Sequence, residues 1–351
     1  MDTYPITARS LARPYHIKGD DFERAYKEFL SGYRTWKDLA HAERWLVFPR
    51  NTGPYLSIDE TSLSDGELYT IVSNKDAHGK KGALVAIIKG TKAEDVTAAL
   101  EHILWCLRAK VQEVTMDLSE SMRAIVVASF PYATITIDRF HVQKDCYDAM
   151  QQLRVKHRRE AQRELVEARE QHKLRNRRNM KRRKKGKRDP RGRKPERANR
   201  KFQPERLSNG DTKCELLARS RYLLMMSANR WSSSQKERAK LLFTLYPDLK
   251  TAYSLCHSLR MIFNSHNATP ESAHESLSKW YVKVAEFDND DFNTVSATIY
   301  EREKEIINYF INRHTNASAE SLNAKIKHFR SQLRGVVDVK FFLYRLSLIF
   351  G

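Results

Sequence analysis

Leu56-Ser-Ile-Asp59-Glu-Thr, Val114-Thr-Met-Asp117-Leu and Thr315-Asn-Ala-Ser-Ala-Glu320-Ser-Leu-Asn323 decide how this chain folds. In the first two, an apolar run that reads as a strand ends on an aspartate. The third opens a helix. Thr315 or Asn316 can cap it, and Glu320 stands in its first turns. Leu322, Ile326, Phe329 and Leu333 recur at helical spacing as its apolar face, while Glu320, Asn323 and Lys327 fall on a different one.

Working outward, three short β-prone runs, Tyr55–Asp59, Leu68–Val72 and Ala83–Ile88, are separated by Ser64-Asp-Gly and Asn74-Lys-Asp-Ala-His-Gly79. Turns this short predict an antiparallel meander. A helix over Ala93–Leu107 follows, with Val96, Leu100, Ile103, Leu104 and Leu107 on one face. Strand Val111–Asp117, helix Ser119–Phe130 and strand Ala133–Asp138 come next. Three meander strands and then helix–strand–helix–strand is the order of a ribonuclease-H-like mixed sheet. In that order the first and fourth strands are neighbours, which brings Asp59 beside Asp117. Carboxylates about 4 Å apart repel by ~4 kcal/mol at an effective dielectric of 20, so a proton or cation must sit between them. Hard oxygen ligands select Mg2+ or Mn2+. Glu60, Asp138, Glu303 and Glu305 are the next acidic candidates.

Before this core, Phe22, Tyr26, Phe29, Tyr33 and Trp36 are spaced as one helix. After it, a long helix starts near Phe140 and runs into a very basic stretch. Residues 154–206 hold 24 Lys or Arg against 7 Asp or Glu, a surplus of 17 within a formal net charge of +20. The other 298 residues therefore carry only about +3. Such a block repels itself unless counter-charge is near, which points to a polyanion bound through phosphates and largely blind to sequence. Its densest part contains Lys181, Arg182, Arg183, Lys184, Lys185, Lys187, Arg188, Arg191, Arg193 and Lys194. Gly186, Pro190, Gly192 and Pro195 predict a loop over 181–206. Helical periodicity resumes from Glu215 to about His266 and again over Phe292–Phe310.

The expected organisation is an α/β core interrupted by an all-helical insertion. It runs as a helical segment at 1–50, core at 51–153, basic helix and linker at 154–206, insertion at 207–300, and core again at 301–351. Trp231 in Asn229-Arg-Trp231-Ser reads either as a core residue or as a platform for an unstacked base. Cys106, Cys146, Cys214 and Cys256 have no paired CxxC spacing, which argues against structural zinc or a disulfide framework and fits a reducing cytoplasm. No signal peptide and no apolar run near 18 residues is present, so no membrane partner is expected.

From about residue 55 onward the chain resembles DDE transposases of the ISL-three insertion-sequence family. The match rests on Ser57-Ile-Asp59-Glu-Thr, Thr115-Met-Asp117, Asp138-Arg-Phe-His141-Val, Arg221-Tyr-Leu-Leu, and Thr315-Asn316…Glu320-Ser-Leu-Asn323-Ala-Lys-Ile-Lys327. The resemblance implies that Asp59, Asp117 and Glu320 bind two Mg2+ or Mn2+ ions and are the catalytic triad. Asp138 and His141 match the family's Asp-x-x-His signature. It further implies DNA as partner, a dimer or larger assembly to hold two element ends, and a bacterial, nucleoid-associated protein. Asn323, Lys325 and Lys327 are candidates for positioning DNA phosphates. The chain departs from the family at its N-terminus, which has neither the zinc-binding cysteines nor a complete helix-turn-helix. A separate DNA-binding polypeptide is therefore expected to recognise the ends. The competing expectations are a nuclease of the same fold that cuts without joining, and an inactive nucleic-acid-binding derivative.

Overall fold

A computed structural model describes residues 1–64, 66–186, 188, 190–193, 201–333 and 336–351. Lys187 and Lys194 lie outside the described residues. The chain divides into two compact units. One contains Met1–Val142, Asn267–His274 and Glu301–Gly351, and the other contains Gln143–His266 and Glu275–Tyr300.

In the first unit, short helices α1 (Ala8–Ala12) and α2 (Gly19–Ala25) lead to strand β1 (Trp45–Val47). The meander is β2 (Tyr55–Ser64), β3 (Glu67–Asn74) and β4 (Leu84–Lys89). Helices α3 (Ala93–Leu100) and α4 (Trp105–Arg108), strand β5 (Glu113–Met116), helix α5 (Glu120–Ser129) and strand β6 (Thr134–Ile137) follow. The sheet runs β1-β4-β3-β2-β5-β6. β2 pairs parallel with β5, and β5 with β6, while the meander pairs are antiparallel. This is the ribonuclease-H-like order, with the short strand β1 added beside β4. Helix α6 (Arg139–Lys184) leaves β6, and α12 (Glu303–Ile307), α13 (Tyr309–Asn312), α14 (Ala317–Gln332) and α15 (Val339–Phe350) complete the unit.

Side-chain alternation explains which helix covers which face. Ile71 and Ile87 lie across from one another on one face, where Leu46, Tyr69 and Leu84 join Leu322, Ile326 and Phe329 of α14. Phe342, Leu343 and Leu346 of α15 close that core, with Phe329 stacked on Phe342 at 5.4 Å. Helices α3 and α5 pack on each other and on β4 and β5, burying Val96, Leu100, Met122, Ile125 and Val126.

Three helices expected from periodicity are shorter than predicted. The 22–36 pattern breaks into α2, a π turn at Tyr26–Leu30 and a 3-10 turn at Tyr33–Thr35. Ser31-Gly32 interrupts it, and Tyr33 turns to pack edge-on against Phe341 of α15 at 5.2 Å. Phe29, counted on the same apolar face, is exposed. The 93–107 pattern splits because Ile103 N–H closes back on Leu100 O and turns the chain, which leaves Leu104 exposed. The 292–310 pattern is divided among three helices by breaks at Arg302 and Asn308, of which Arg302 is held by Glu120 and Glu305.

The second unit is all helical: most of α6, then α7 (Lys213–Arg219), α8 (Ser233–Leu245), α9 (Pro247–Asn264), α10 (Pro270–Phe287, its first turns counted with the first unit) and α11 (Asp290–Glu301). Leu216, Leu242, Leu255, Leu259, Leu277, Trp280 and Phe292 are among its buried side chains, and the Trp280 indole donates to Leu255 O at 3.0 Å. Thr212 and Glu215 form a reciprocal capping box at the start of α7. Thr212→Ala removes one half of it and is expected to cost about 1 kcal/mol, read by urea unfolding.

With 46 residues, α6 is about 69 Å long at 1.5 Å per residue. Beyond Ala161 none of its residues is buried. It carries Lys181–Lys184 as its last turn, so the helix continues into the stretch expected to be a loop.

Candidate active site

Register gathers the acidic residues at one end of the sheet. Tyr55 pairs with Glu113 and Ser57 with Thr115 across the parallel β2–β5 ladder. Asp59 and Asp117 each stand two residues beyond that last rung, so they are side by side. Thr115 pairs with Thr136 and Met116 with Ile137, and the Asp138 N–H donates to Met116 O at 2.9 Å. Asp138 is thus level with Asp117 at the end of the next strand. Asp117 and Asp138 follow the last residues of β5 and β6, whereas Asp59 lies inside β2, which runs on beside β3 to Ser64 instead of ending at Asp59 as its sequence predicts.

Each carboxylate has defined partners. The Glu60 N–H donates to Asp59 Oδ1 at 2.7 Å, and the Asn323 amide donates to Asp59 Oδ2. His141 Nε2 lies 2.8 Å from Asp117 Oδ1, which also accepts from Asn316 Nδ2 at 3.5 Å. Asp138, only 2% exposed, accepts the backbone N–H of Asn316. It therefore ties the end of β6 to the entry of α14. The cap expected from Asn316 is absent, because its side chain turns to Asp117; Thr315 Oγ1 accepts the Ala317 N–H instead.

Electrostatics follow from this crowding. Burial raises the Asp59 carboxyl above its ordinary range, and the neighbouring Asp117 charge raises it further. Burial likewise raises Asp138. Burial disfavours protonated His141, but Asp117, Asp138 and Asp59 outweigh it and hold the imidazole above its ordinary value. An imidazole raised in this way is the expected response of a histidine set among acidic side chains.

Helix α14 is seated from two sides. The loop after β3 approaches it closely: Ser318 Oγ donates to Lys75 O at 3.2 Å, and Lys325 Nζ donates to Gly79 O at 2.6 Å. Gly79 has φ +66°, and a Cβ there would lie 3.3 Å from Ser321 Oγ and 3.5 Å from Leu322 N, so glycine suits both the backbone and the space. On the other side, the segment entering α14 is gripped by a buried carboxylate. Glu113 accepts from Asn312 Nδ2 at 3.1 Å, lies 3.1 Å from His314 Nδ1, and pairs with buried Lys75 at 3.0 Å. Burial would raise the Glu113 carboxyl, but Lys75, Asn312 and His314 outweigh it and hold the carboxyl low. For Lys75, burial outweighs pairing and lowers the ammonium's pKa. Glu113, Thr115 and Asp117 alternate onto one face of β5, so this pair lies directly behind the site.

The anticipated residues therefore divide by location. Asp59, Asp117, Asp138, His141 and Asn323 come together. Glu320 is exposed in the first turn of the helix that carries Asn323, and its charge acts on Asp138. Among the described residues, no three His, Cys, Asp or Glu groups stand close enough to hold a metal ion as they are. The donor chemistry nevertheless fits a divalent cation. Carboxylate oxygens are hard ligands, and beside them the amide oxygens of Asn316 and Asn323 are buried without a hydrogen-bond partner.

Lys327 is exposed, whereas Lys325 is occupied by Gly79. Glu303 pairs with His274, and Glu305 with Arg123. In the helical unit, the partly buried Trp231 sits among Phe243 and Tyr253, with its indole N–H donating to Leu223 O at 3.1 Å.

A family model for transposases, the DDE type of the ISL-three group, matches residues 56–346. The chain belongs to this family. No curated protein and no solved structure matches it. The match spans both acidic strands, the helical unit and α14, so the transposase's Asp59, Asp117 and Asp138 and its Glu320 helix all lie inside the matched region. Transposition makes DNA the substrate class. No helix among the described residues is long and apolar enough to cross a membrane. Sequence reasoning missed Asn316 as a partner of Asp117, and the Lys75–Glu113 pair altogether. The i, i+2 spacing of Glu113, Thr115 and Asp117 was the available signal, since it puts a polar face on an otherwise apolar strand.

Proposed function

We propose that this transposase cuts DNA at the ends of its element and joins the freed 3′-hydroxyl to target DNA, with Asp59, Asp117 and Glu320 as the ligands of two Mg2+ or Mn2+ ions. The observation that carries the reading is the parallel register that sets Asp59 beside Asp117, next to a helix bearing Glu320. Bound divalent ions would activate the attacking oxygen and stabilise the charge building on the phosphodiester. In the first step a water oxygen bonds to phosphorus at the element end, and the P–O bond to the 3′-oxygen breaks. In the second, that 3′-hydroxyl attacks a target phosphodiester and releases a 3′-oxygen there. Neither step requires a covalent bond between protein and DNA.

The chain's own residues orient the acids and hold the DNA. Glu60 N–H and Asn323 fix both oxygens of Asp59, and His141 fixes one oxygen of Asp117. The exposed basic end of α6 would lie along flanking or target DNA. Replacing Lys181, Arg182, Arg183, Lys184 and Lys185 with glutamine is expected to weaken DNA binding at low salt. It should also flatten the plot of log affinity against log salt by ~0.9 for each DNA phosphate that is no longer neutralised. An unchanged slope in a salt-titrated binding assay would place the DNA elsewhere. A homodimer or larger assembly, and a separate polypeptide that reads the ends, belong to the same proposal. Specific end binding by this chain alone would contradict the latter.

The test is a strand-transfer reaction with purified protein, labelled element ends, target plasmid and Mg2+ or Mn2+. Nicked ends plus joined products are expected. Nicked ends without joined products would favour a nuclease, and neither product would favour a DNA-binding derivative.

A further inference from the structure

Two asparagines of the α14 entry and first turns each face one of the two paired aspartates. Asn316 is 2% exposed and Asn323 is 5% exposed. Asn323 gives its amide NH2 to Asp59 Oδ2, and Asn316 gives its own to Asp117 Oδ1. In both, the amide oxygen is buried and has no hydrogen-bond partner. A buried acceptor left without a donor costs about 1–3 kcal/mol. Helix stability does not account for this. Asn is a poor residue inside a helix, and at 316 it forgoes the cap for which it is suited.

We propose that Asn316 and Asn323 are positioning residues for the metal-binding carboxylates, each fixing the rotamer of one aspartate so that the metal site is complete only when α14 is seated. The inference rests on the metal-binding reading of Asp59, Asp117 and Glu320. The two asparagines are seven residues apart, two turns of one helix face. One rigid element therefore sets both carboxylates while carrying Glu320 between them. The Asp138 carboxylate on Asn316 N–H and the Lys325 bond to Gly79 hold that element at its two sides. Residues that orient metal ligands from behind change metal affinity by about 10–100-fold when removed. A side chain that serves only the fold changes melting and leaves affinity alone.

The experiment is a titration of the full chain with Mn2+ alone, followed by the electron paramagnetic resonance signal of the free ion, together with thermal melting in EDTA. Asn316→Leu and Asn323→Leu keep the branched shape of the side chain and remove the orphaned amide oxygen while taking one donor from each aspartate, so melting in EDTA should change little. Each should nevertheless weaken Mn2+ binding about tenfold. Asp117→Asn is the control and should abolish most of the binding. If Asp117→Asn fails while both leucine variants bind as wild type does, the positioning role is overturned and the metal site stands. If wild type binds no Mn2+, or Asp117→Asn binds as wild type does, the metal reading fails and the inference falls with it. Should a leucine variant melt too low to titrate, Asn316→Ser and Asn323→Ser are read by the same criterion.

Discussion

Asp117→Asn is expected to reduce DNA cleavage and joining by at least ~10³-fold, from the several kcal/mol that metal-based charge stabilisation contributes to such a transition state. The substitution keeps the shape of the side chain and removes its charge. It acts at a residue whose Oδ1 is already held by His141 and Asn316, so the loop geometry should persist. It also removes the neighbouring charge that helps to raise the Asp59 carboxyl. It forfeits as well the charge that pairs with His141, which acts in the opposite direction, so melting in metal-free buffer should change little. Loss of activity with retained melting separates a chemical role from a structural one. Equal cleavage by wild type and variant, at matched folded protein, would remove Asp117 from the chemistry.

The second large effect is structural. Lys75→Met should destabilise the first unit by about 3–5 kcal/mol, because it leaves the Glu113 carboxylate buried without its cation. Both side chains are buried and joined at 3.0 Å, and Thr115 Oγ1 accepts from the same ammonium. Replacing both partners, as Lys75→Met with Glu113→Leu, should recover part of the deficit, since no unpaired charge then remains. Urea unfolding of the two single variants and the double gives the coupling, and additive effects would contradict a paired role. The sign with pH follows from Glu113. Its folded carboxyl is held below the ordinary range for a glutamate. The contribution of this group is thus present above the unfolded pKa and is lost as pH falls through the lower folded one.

How much of this is readable from sequence depends on whether the information is local. The meander is legible because each strand announces itself over four or more residues and the turns between them are short, although β2 runs on past Asp59 to Ser64. The neighbourhood of Asp59 and Asp117 then follows from topology alone. Strand β1 is not legible, since three residues carry no usable period and only pairing with β4 makes them a strand. The 22–36 segment misleads because Tyr26, Tyr33 and Trp36 do form an apolar group, but against α15 rather than along one helix.

The proximity of Asp59 to Asp117 is legible, and what orders the two carboxylates is less so. Lys75 lies in a polar turn that reads as surface, and its partner Glu113 is 38 positions away. Nothing local distinguishes such a lysine from a solvated one. Asn316 stands where Asn usually caps a helix, and a long-range partner overrides that preference. Asn323, whose sequence position suggests a phosphate contact, is instead buried on Asp59. The buried polar groups behind the paired aspartates are chosen by tertiary contacts, so a single sequence shows only that they are out of place.

The most direct test of the account is a crystal of the transposase soaked in Mn2+, with diffraction recorded where manganese scatters anomalously. Anomalous peaks are expected between Asp59, Asp117 and Glu320, with the Asn316 and Asn323 amides still on the two aspartates. Peaks elsewhere, or none at a Mn2+ concentration that supports cleavage, would contradict it.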